Sequence, residues 1–278
     1  MLYLCATPIG NLEDITLRVL NTLKAVDLIA AEDTRHSIKL LNHFEIKTPM
    51  TSYHEYNKVE KARQLVELMQ QGKEIALVTD AGTPGISDPG EELVRQCYEA
   101  GIPVTALPGP AACITALIQS GLPTRRFCFE AFLPSDKKER AQVLKELVDE
   151  TRTMIVYEAP HHLLRTLKEL REVLGGERHV NLCRELTKHY EEKWLTTMDE
   201  AIAGLEEQGP RGEYVLVIEG RSRESLKQEK IESFARMSVA EHMELYLSQG
   251  KDRKEAMKLV AKDRGVSKRD IYQELLNE

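Results

Sequence analysis

Apolar residues along the chain fall into two rhythms. Short unbroken runs at residues 2–6, 28–31, 75–79 and 104–107 read as buried strands. Between them apolar positions recur at i, i+3 and i+4, as in Val59, Ala62, Leu65, Val66 and Met69, which is the spacing of an amphipathic helix. Gly72 and Gly101 stand where helix C-caps are expected. Strands alternating with helices predict a mostly parallel sheet covered on both faces. The rhythm breaks near Gly121-Leu122-Pro123-Thr124 and then resumes. Strands are expected at 127–132, 154–157, 180–184 and 214–218, with helices at about 135–150, 163–174 and 199–208. The chain is therefore expected to be α/β, with one domain over residues 1–121, a second over 122–222 and a helical extension over 223–278.

The extension differs in kind. Residues 221–232 are so rich in charge that they read as a linker or an exposed helix start. Ala256, Met257, Val260 and Ala261 share one helix face. Gly265-Val266 makes a turn, after which Ser267 can cap a further helix, with Asp270 at the capping-box position and Ile271 and Leu275 on its buried side. Two short helices joined by such a turn are helix-turn-helix-like, and Lys268 and Arg269 would stand at the end that such motifs present to nucleic acid. Charge supports this. The whole chain carries a formal net charge of −7, yet between Gly250 and Arg269 eight Lys/Arg face three Asp/Glu. An acidic body with a basic end points to a polyanionic partner.

Four Gly/Pro loops follow strands or open helices. The longest runs Thr79-Asp80-Ala81-Gly82-Thr83-Pro84-Gly85-Ile86-Ser87-Asp88-Pro89-Gly90. Asp88, Pro89 and Glu91 suggest a helix start there, with Asp88 as N-cap and Glu91 closing a capping box. The others are Ala6-Thr7-Pro8-Ile9-Gly10-Asn11, Leu107-Pro108-Gly109-Pro110-Ala111-Ala112 and Phe132-Leu133-Pro134. Loops of this kind at the carboxyl ends of strands converge at one edge of a sheet, where open α/β folds bind ligands. No stretch fits G-x-G-x-x-G or G-x-x-x-x-G-K-[ST], which disfavours a dinucleotide fold, a methyltransferase of Rossmann type and a phosphate-cradling NTPase. There is no G-x-S-x-G elbow. The five cysteines are dispersed and the histidines lack zinc spacing, so buried reduced thiols and no metal are expected. No run approaches the ~18 apolar residues of a membrane span, and the apolar N-terminus lacks a basic lead, so it reads as a first strand of a cytoplasmic protein.

Seven motifs taken in order carry a resemblance. They are Thr7-Pro8-Ile9-Gly10-Asn11-Leu12, Ala31-Glu32-Asp33-Thr34-Arg35, residues 79–90, Pro108-Gly109-Pro110-Ala111, Tyr157-Glu158-Ala159-Pro160-His161, Arg184-Glu185-Leu186-Thr187-Lys188 and Gly212-Glu213-Tyr214. Over residues 1–220 the chain resembles the tetrapyrrole methylases, and specifically their ribosomal branch, whose members methylate the 2′-hydroxyl of a cytidine ribose in the decoding region of 16S rRNA. The resemblance implies two α/β domains, S-adenosylmethionine (SAM) in the cleft between them, and a homodimer. The partner it implies is 16S rRNA or the small ribosomal subunit. Where porphyrin-acting relatives carry a Gly-Asp-Pro loop, this chain has Thr79-Asp80-Ala81-Gly82, which argues against a tetrapyrrole substrate. Ala111 stands where Ser or Thr is common, which removes a hydroxyl contact but spares the backbone ones.

Motif by motif, the resemblance implies SAM contact by Pro8, Asp80, Ala81, Gly82, Thr83, Ile86, Ala111, Ala112, Tyr157, Leu186 and Tyr214. A ribose hydroxyl is a weak nucleophile that a base or a polarising group would help. Asp33, Glu185 and Lys188 are the candidates, although for any one of them half of a structural ion pair is the better reading, and no residue stands out as the base. Arg35 and Arg184 on the cleft rim, with Lys268 and Arg269 in the extension, are the candidates for gripping RNA phosphate. Two other readings stay open: methylation of a small tetrapyrrole precursor, and a non-catalytic RNA-binding assembly factor.

Overall fold

The computed structural model describes residues 1–277, which divide into two compact units. The first, Met1–Leu147 with Arg152–Glu219, holds two five-stranded sheets. β1 (Leu2–Cys5), α1 (Leu17–Ala25), β2 (Leu28–Ala31), α2 (Thr34–His43), β3 (Met50–Ser52), α3 (Lys58–Gln70), β4 (Ile75–Val78), α4 (Gly90–Glu99) and β5 (Val104–Leu107) come first. Their sheet has the order β3-β2-β4-β1-β5 and every pairing is parallel. The central strand β4 is buried along its whole length, as a strand covered by helices on both faces must be.

After α5 (Ala112–Gln119) come β6 (Phe127–Phe132), α6 (Lys137–Leu147), β7 (Thr153–Glu158), α7 (Pro160–Leu174), β8 (His179–Arg184), β9 (Glu192–Thr197), α8 (Met198–Gln208) and β10 (Tyr214–Ile218). This second sheet has the order β6-β7-β10-β8-β9 and is mixed. β6 and β7 pair in parallel, whereas β10 runs antiparallel to β7 and β8, and β9 antiparallel to β8. The cause is connection length: the link from Arg184 to Glu192 is too short for a crossover, so β9 returns as a hairpin. The start of the central strand β10 thereby joins the carboxyl ends of β7 and β8 at one edge.

β3 and β9 have no counterpart in the apolar rhythm. β3 is three residues long, and four of the six residues of β9 are exposed; both are edge strands, with one side unpaired and little to bury. α5 departs from chain order. Its Cys113, Ala116 and Leu117 pack with Ile155, Cys183, Val215 and Val217, so the helix before residue 121 belongs to the core of the second sheet.

The second unit joins Val148–Thr151 to the chain from Gly220 onward. Residues 221–232, expected to be a linker or an exposed helix start, fall mostly in the helix α9 (Arg223–Ala235), which buries none of its residues. α10 (Val239–Leu247), α11 (Arg253–Asp263) and α12 (Lys268–Asn277) enclose a small core of Val239, Met243, Ala256, Val260, Ala261 and Ile271. Ser238 and Glu241 form a full capping box on α10, and Ser267 exchanges hydrogen bonds with Asp270 at the head of α12. Among the described residues no helix is long and apolar enough to cross a membrane.

Candidate functional site

A cavity of about 300 Å³ opens where the carboxyl ends of the parallel strands of both sheets meet. That lies at the lower end of the range of small-molecule pockets, roughly 300–1,000 Å³. Its first wall is made by the loops after β1, β4 and β5. Thr7 and Gly82 exchange backbone hydrogen bonds of 2.9 and 3.1 Å, and the Thr7 hydroxyl donates to the carbonyl of Thr79 at 3.1 Å. Gly82 sits at φ +87°, in the left-handed region that glycine enters without cost. Gly109 serves close approach instead: a Cβ there would lie 2.6 Å from that of Ala6. The Thr83 hydroxyl donates to the Pro110 carbonyl at 2.8 Å, which ties the β4 and β5 loops together.

The capping box expected at Asp88 does not form. α4 begins after Pro89, and Asp88 folds back to accept from the N–H groups of Gly85 (2.9 Å) and Gly90 (2.7 Å). Its carboxylate thus ties the glycine loop to the first residue of the helix. Burial pushes the Asp88 pKa up, against the pull of those N–H groups.

The second wall comes from the ends of β6, β7 and β8 and the start of β10. Tyr157 is anchored across the cavity, its phenol oxygen accepting from the Cys113 N–H at 3.0 Å, and burial drives its pKa up. Glu158 is buried; its carboxylate accepts from the Ala159 N–H (2.9 Å) and the Thr166 hydroxyl (2.5 Å). Thr166 in turn accepts from buried Arg140, which pairs with Glu169. After β8, Glu185 and Thr187 adopt φ +49° and +66° without being glycine. Such positions cost roughly 1–3 kcal/mol each and gather at functional sites. Lys188 lines the cavity and donates to Glu185 (3.0 Å) and Glu213 (2.8 Å), while Glu185 also accepts from the Glu213 N–H at 2.9 Å. Burial would lower the Lys188 pKa, but the two carboxylates override it and hold the ammonium charged. Burial likewise raises Glu185, and the Glu213 N–H and Lys188 more than offset it, so its carboxylate stays ionised. The Thr187 hydroxyl oxygen is buried beside this group with no hydrogen-bond partner.

Of the residues singled out for SAM, Ala81, Gly82, Thr83, Ile86, Ala111, Ala112, Tyr157, Leu186 and Tyr214 line this cavity. Pro8 lies one residue before the lining Ile9, and Asp80 turns its carboxylate to the Asp33 N–H at 3.1 Å. Asp33 is engaged by Arg35, which holds its pKa down at about 2, and neither lines the cavity. Arg184 pairs with Glu192 at 2.8 Å. Lys268 and Arg269 are exposed on the first turn of α12, in the other unit. Sequence reading missed Ile9, Asp88, Phe132, Glu158 and Glu213 as lining residues. Four of them lie inside quoted motifs, and the signal available was adjacency to residues already chosen. Among the described residues no group of three His, Cys, Asp or Glu is placed to hold a metal ion.

Residues 1–202 match the family model of the Tetrapyrrole (Corrin/Porphyrin) Methylases. Full-length relatives are closer. The chain is 48% identical over 273 residues to ribosomal RNA small subunit methyltransferase I of Synechocystis sp., covering 98% of this chain and 96% of that protein. It is 51% identical over 271 residues to the enzyme of the same name from Halalkalibacterium halodurans, covering 98% and 93%. Solved structures share the fold at low identity. Diphthine synthase superposes with a TM-score of 0.62 at 12% identity, covering 78% of this chain and 89% of that one. Uroporphyrin-III C-methyl transferase from Thermus thermophilus, complexed with S-adenosyl homocysteine, gives 0.56 at 18%, covering 78% and 96%.

Proposed function

The chain belongs to the tetrapyrrole methylase family, and from that premise we propose that it is a SAM-dependent methyltransferase of small-subunit rRNA, acting on the ribose 2′-hydroxyl of a cytidine in the decoding region of 16S rRNA. The observation that carries the substrate is coverage. The relatives named for small-subunit rRNA match 98% of the chain, whereas the uroporphyrin enzyme is itself almost fully covered yet matches only 78%. About a fifth of the chain has no counterpart in the porphyrin enzyme, and a small substrate needs no such addition. A basic helical unit of that size suits a polyanion.

The cavity residues suit SAM. Ala81, Gly82, Ala111 and Ala112 present backbone with little side chain in the way, and α5 begins at Ala112, where first-turn N–H groups have no partner within the helix. Apolar Ile86, Leu186 and Val215 suit the flat faces of an adenine, and the charged Lys188 with Glu185 and Glu213 marks a polar end suited to an amino-acid zwitterion. The bound cofactor supplies an electrophilic methyl group on a sulfonium. The chain supplies rigidity: Gly/Pro loops crossed by hydrogen bonds fix the relative placement of the two reactants, a contribution of up to ~7–11 kcal/mol to the barrier. Lys188 is charged and Glu185 fully engaged, so neither is a ready proton acceptor. Positioning therefore carries most of the rate.

RNA is held by basic groups, with Arg35 and Arg184 near the cavity loops and Lys268 and Arg269 on α12. A homodimer in the cytoplasm completes the reading. Incubation of the purified chain with SAM and either naked 16S rRNA or isolated small subunits, followed by mass mapping of the RNA, tests it. One new methyl on a cytidine ribose in the decoding region is expected. Methylation of a base, or none on either substrate, would refute it.

A further inference from the structure

β6 and β7 pair in parallel, Phe129 opposite Ile155 and Phe132 opposite Tyr157, with one extra residue, Glu130, inserted between Phe129 and Ala131. Side chains of a strand alternate between the faces of its sheet. Without the insertion Phe129 and Phe132, three residues apart, would point to opposite faces. The bulge reverses the alternation and brings Phe132 to the face of Phe129 and Tyr157. The ring contacts agree: Tyr157 meets Phe129 at 5.0 Å and Phe132 at 5.6 Å, both edge to face. The backbone is bent to achieve this, with Ala131 at φ +54°, a conformation that L residues rarely adopt. Bulges beside active sites commonly re-aim a side chain in this way.

The re-aimed ring does not close a core. Phe132 is 56% exposed and lines the cavity at the edge of the second wall. Its orientation is fixed by Tyr157, whose phenol is itself tied to the Cys113 N–H. A rigid aromatic face left open at the mouth of a cavity is what a nucleobase needs for stacking. The small residues Ala81, Gly82, Ala111 and Ala112, which present backbone to the cavity, lie on other segments of the lining than Phe132 at the end of β6.

We propose that Phe132 is the stacking platform for the base of the acceptor nucleotide, splayed out of the RNA and held between this ring and the cofactor side of the cavity. The proposal rests on the rRNA-methylating function argued above. Sequence-specific recognition of RNA targets unstacked bases in loops and single strands, and aromatic side chains hold them by stacking.

The full-length Phe132→Ala, Phe132→Leu and Phe132→Tyr variants test this against isolated small subunits and naked 16S rRNA. Phe132→Ala should raise KM for RNA by roughly ten- to a hundredfold, with affinity for S-adenosyl homocysteine unchanged by calorimetry. Phe132→Leu, which keeps apolar bulk but no flat face, should fail similarly, and Phe132→Tyr should restore KM to near wild type. An RNA oligonucleotide with a fluorescent cytosine analogue at the acceptor position should be quenched by wild type and Phe132→Tyr but not by Phe132→Ala. Loss of S-adenosyl homocysteine affinity in Phe132→Ala would overturn the proposal by making the ring a cofactor contact. Unchanged KM for RNA in Phe132→Leu would overturn it by making the ring mere bulk. Absence of RNA methylation by wild type would instead bring down the underlying function, and this inference with it.

Discussion

The first sheet's wall and the second sheet's wall meet the same demand, a chain that turns sharply beside a ligand, by different means. On the first wall the left-handed positions of the β4 loop are Gly82, Gly85 and Ser87, two of the three glycine, and prolines stiffen the rest. On the second wall Ala131, Glu185 and Thr187 occupy left-handed conformations with side chains attached. Glycine makes such a turn intrinsically tolerable, whereas the second wall is held in place by its surroundings: the Lys188–Glu185–Glu213 group, the β6–β7 pairing and the Tyr157 bridge. The first wall leans on its own composition and the second on tertiary contacts, with Ser87 on the first and Gly212 on the second as exceptions. Crossing glycine with non-glycine should therefore act with opposite signs at Gly82 and at Thr187.

The largest effect is expected at Gly82. Gly82→Val places a branched side chain at φ +87°, with its Cβ 3.3 Å from the Ile9 side chain. Calorimetry should show SAM binding lost, by about a hundredfold or more, with the far-ultraviolet circular dichroism of the folded protein retained. Normal affinity would show that the first wall does not shape the cofactor site.

A smaller effect of opposite sign is expected across the cavity. Thr187→Gly removes a side chain from φ +66°, and its hydroxyl has no partner to lose. Relief of roughly 1–2 kcal/mol of left-handed strain exceeds the added chain entropy of glycine, about 0.5–1 kcal/mol. Stability measured by urea unfolding should rise by about 0.5–1 kcal/mol. A fall in stability would mean that the second wall is not strained.

The smallest effect is a matter of acid. Glu185 has its pKa lowered from 4.5, so it stabilises the folded state above that value, and the contribution is lost as pH falls through its folded pKa. Asp88 has its pKa raised from 3.8, so the folded state takes up a proton more readily and gains relative stability as pH falls through its folded pKa. Peptide-resolved hydrogen exchange, corrected for intrinsic rates and carried from pH 6 to well below 4.5, should show residues 185–191 losing protection below 4.5 while residues 82–90 keep theirs. Equal loss in both segments would erase the distinction.

The same difference explains what the sequence discloses. Gly82, Pro84, Gly85, Gly109 and Pro110 advertise a stiff loop to any reader because their chemistry is local, and the central strands β4 and β10 announce themselves as apolar runs buried throughout. Phe132 stood in a loop expected at the ligand edge, but the aim of its ring was not legible, because its direction depends on the extra Glu130 in a strand pairing that no local pattern encodes. Asp88 read as the start of a capping box because Asp-Pro-Gly-Glu has that form, yet it divides its carboxylate between Gly90 at the head of α4 and Gly85 in the loop before it. The edge strands β3 and β9 escaped because short or exposed strands lack the unbroken burial that makes an apolar run visible. Over residues 221–232 the choice between linker and exposed helix start stayed open, since a helix that buries nothing, as α9 does, shows no apolar stripe.

The packing of α5 bears on how the protein is made. A ribosome releases residues 1–107 as a set that completes the first sheet, and then delivers α5 with the face formed by Cys113, Ala116 and Leu117. That face gains Ile155 and then Cys183 as β7 and β8 are made, but its cover stays incomplete until Val215 and Val217 of the central strand β10 emerge last. For that interval of synthesis the nascent chain carries an incompletely covered apolar helix beside a finished sheet, the condition under which partly made proteins associate wrongly. Chains cut short anywhere between residues 120 and 213 should therefore precipitate or bind chaperones, although the sheet that precedes the cut has all of its strands.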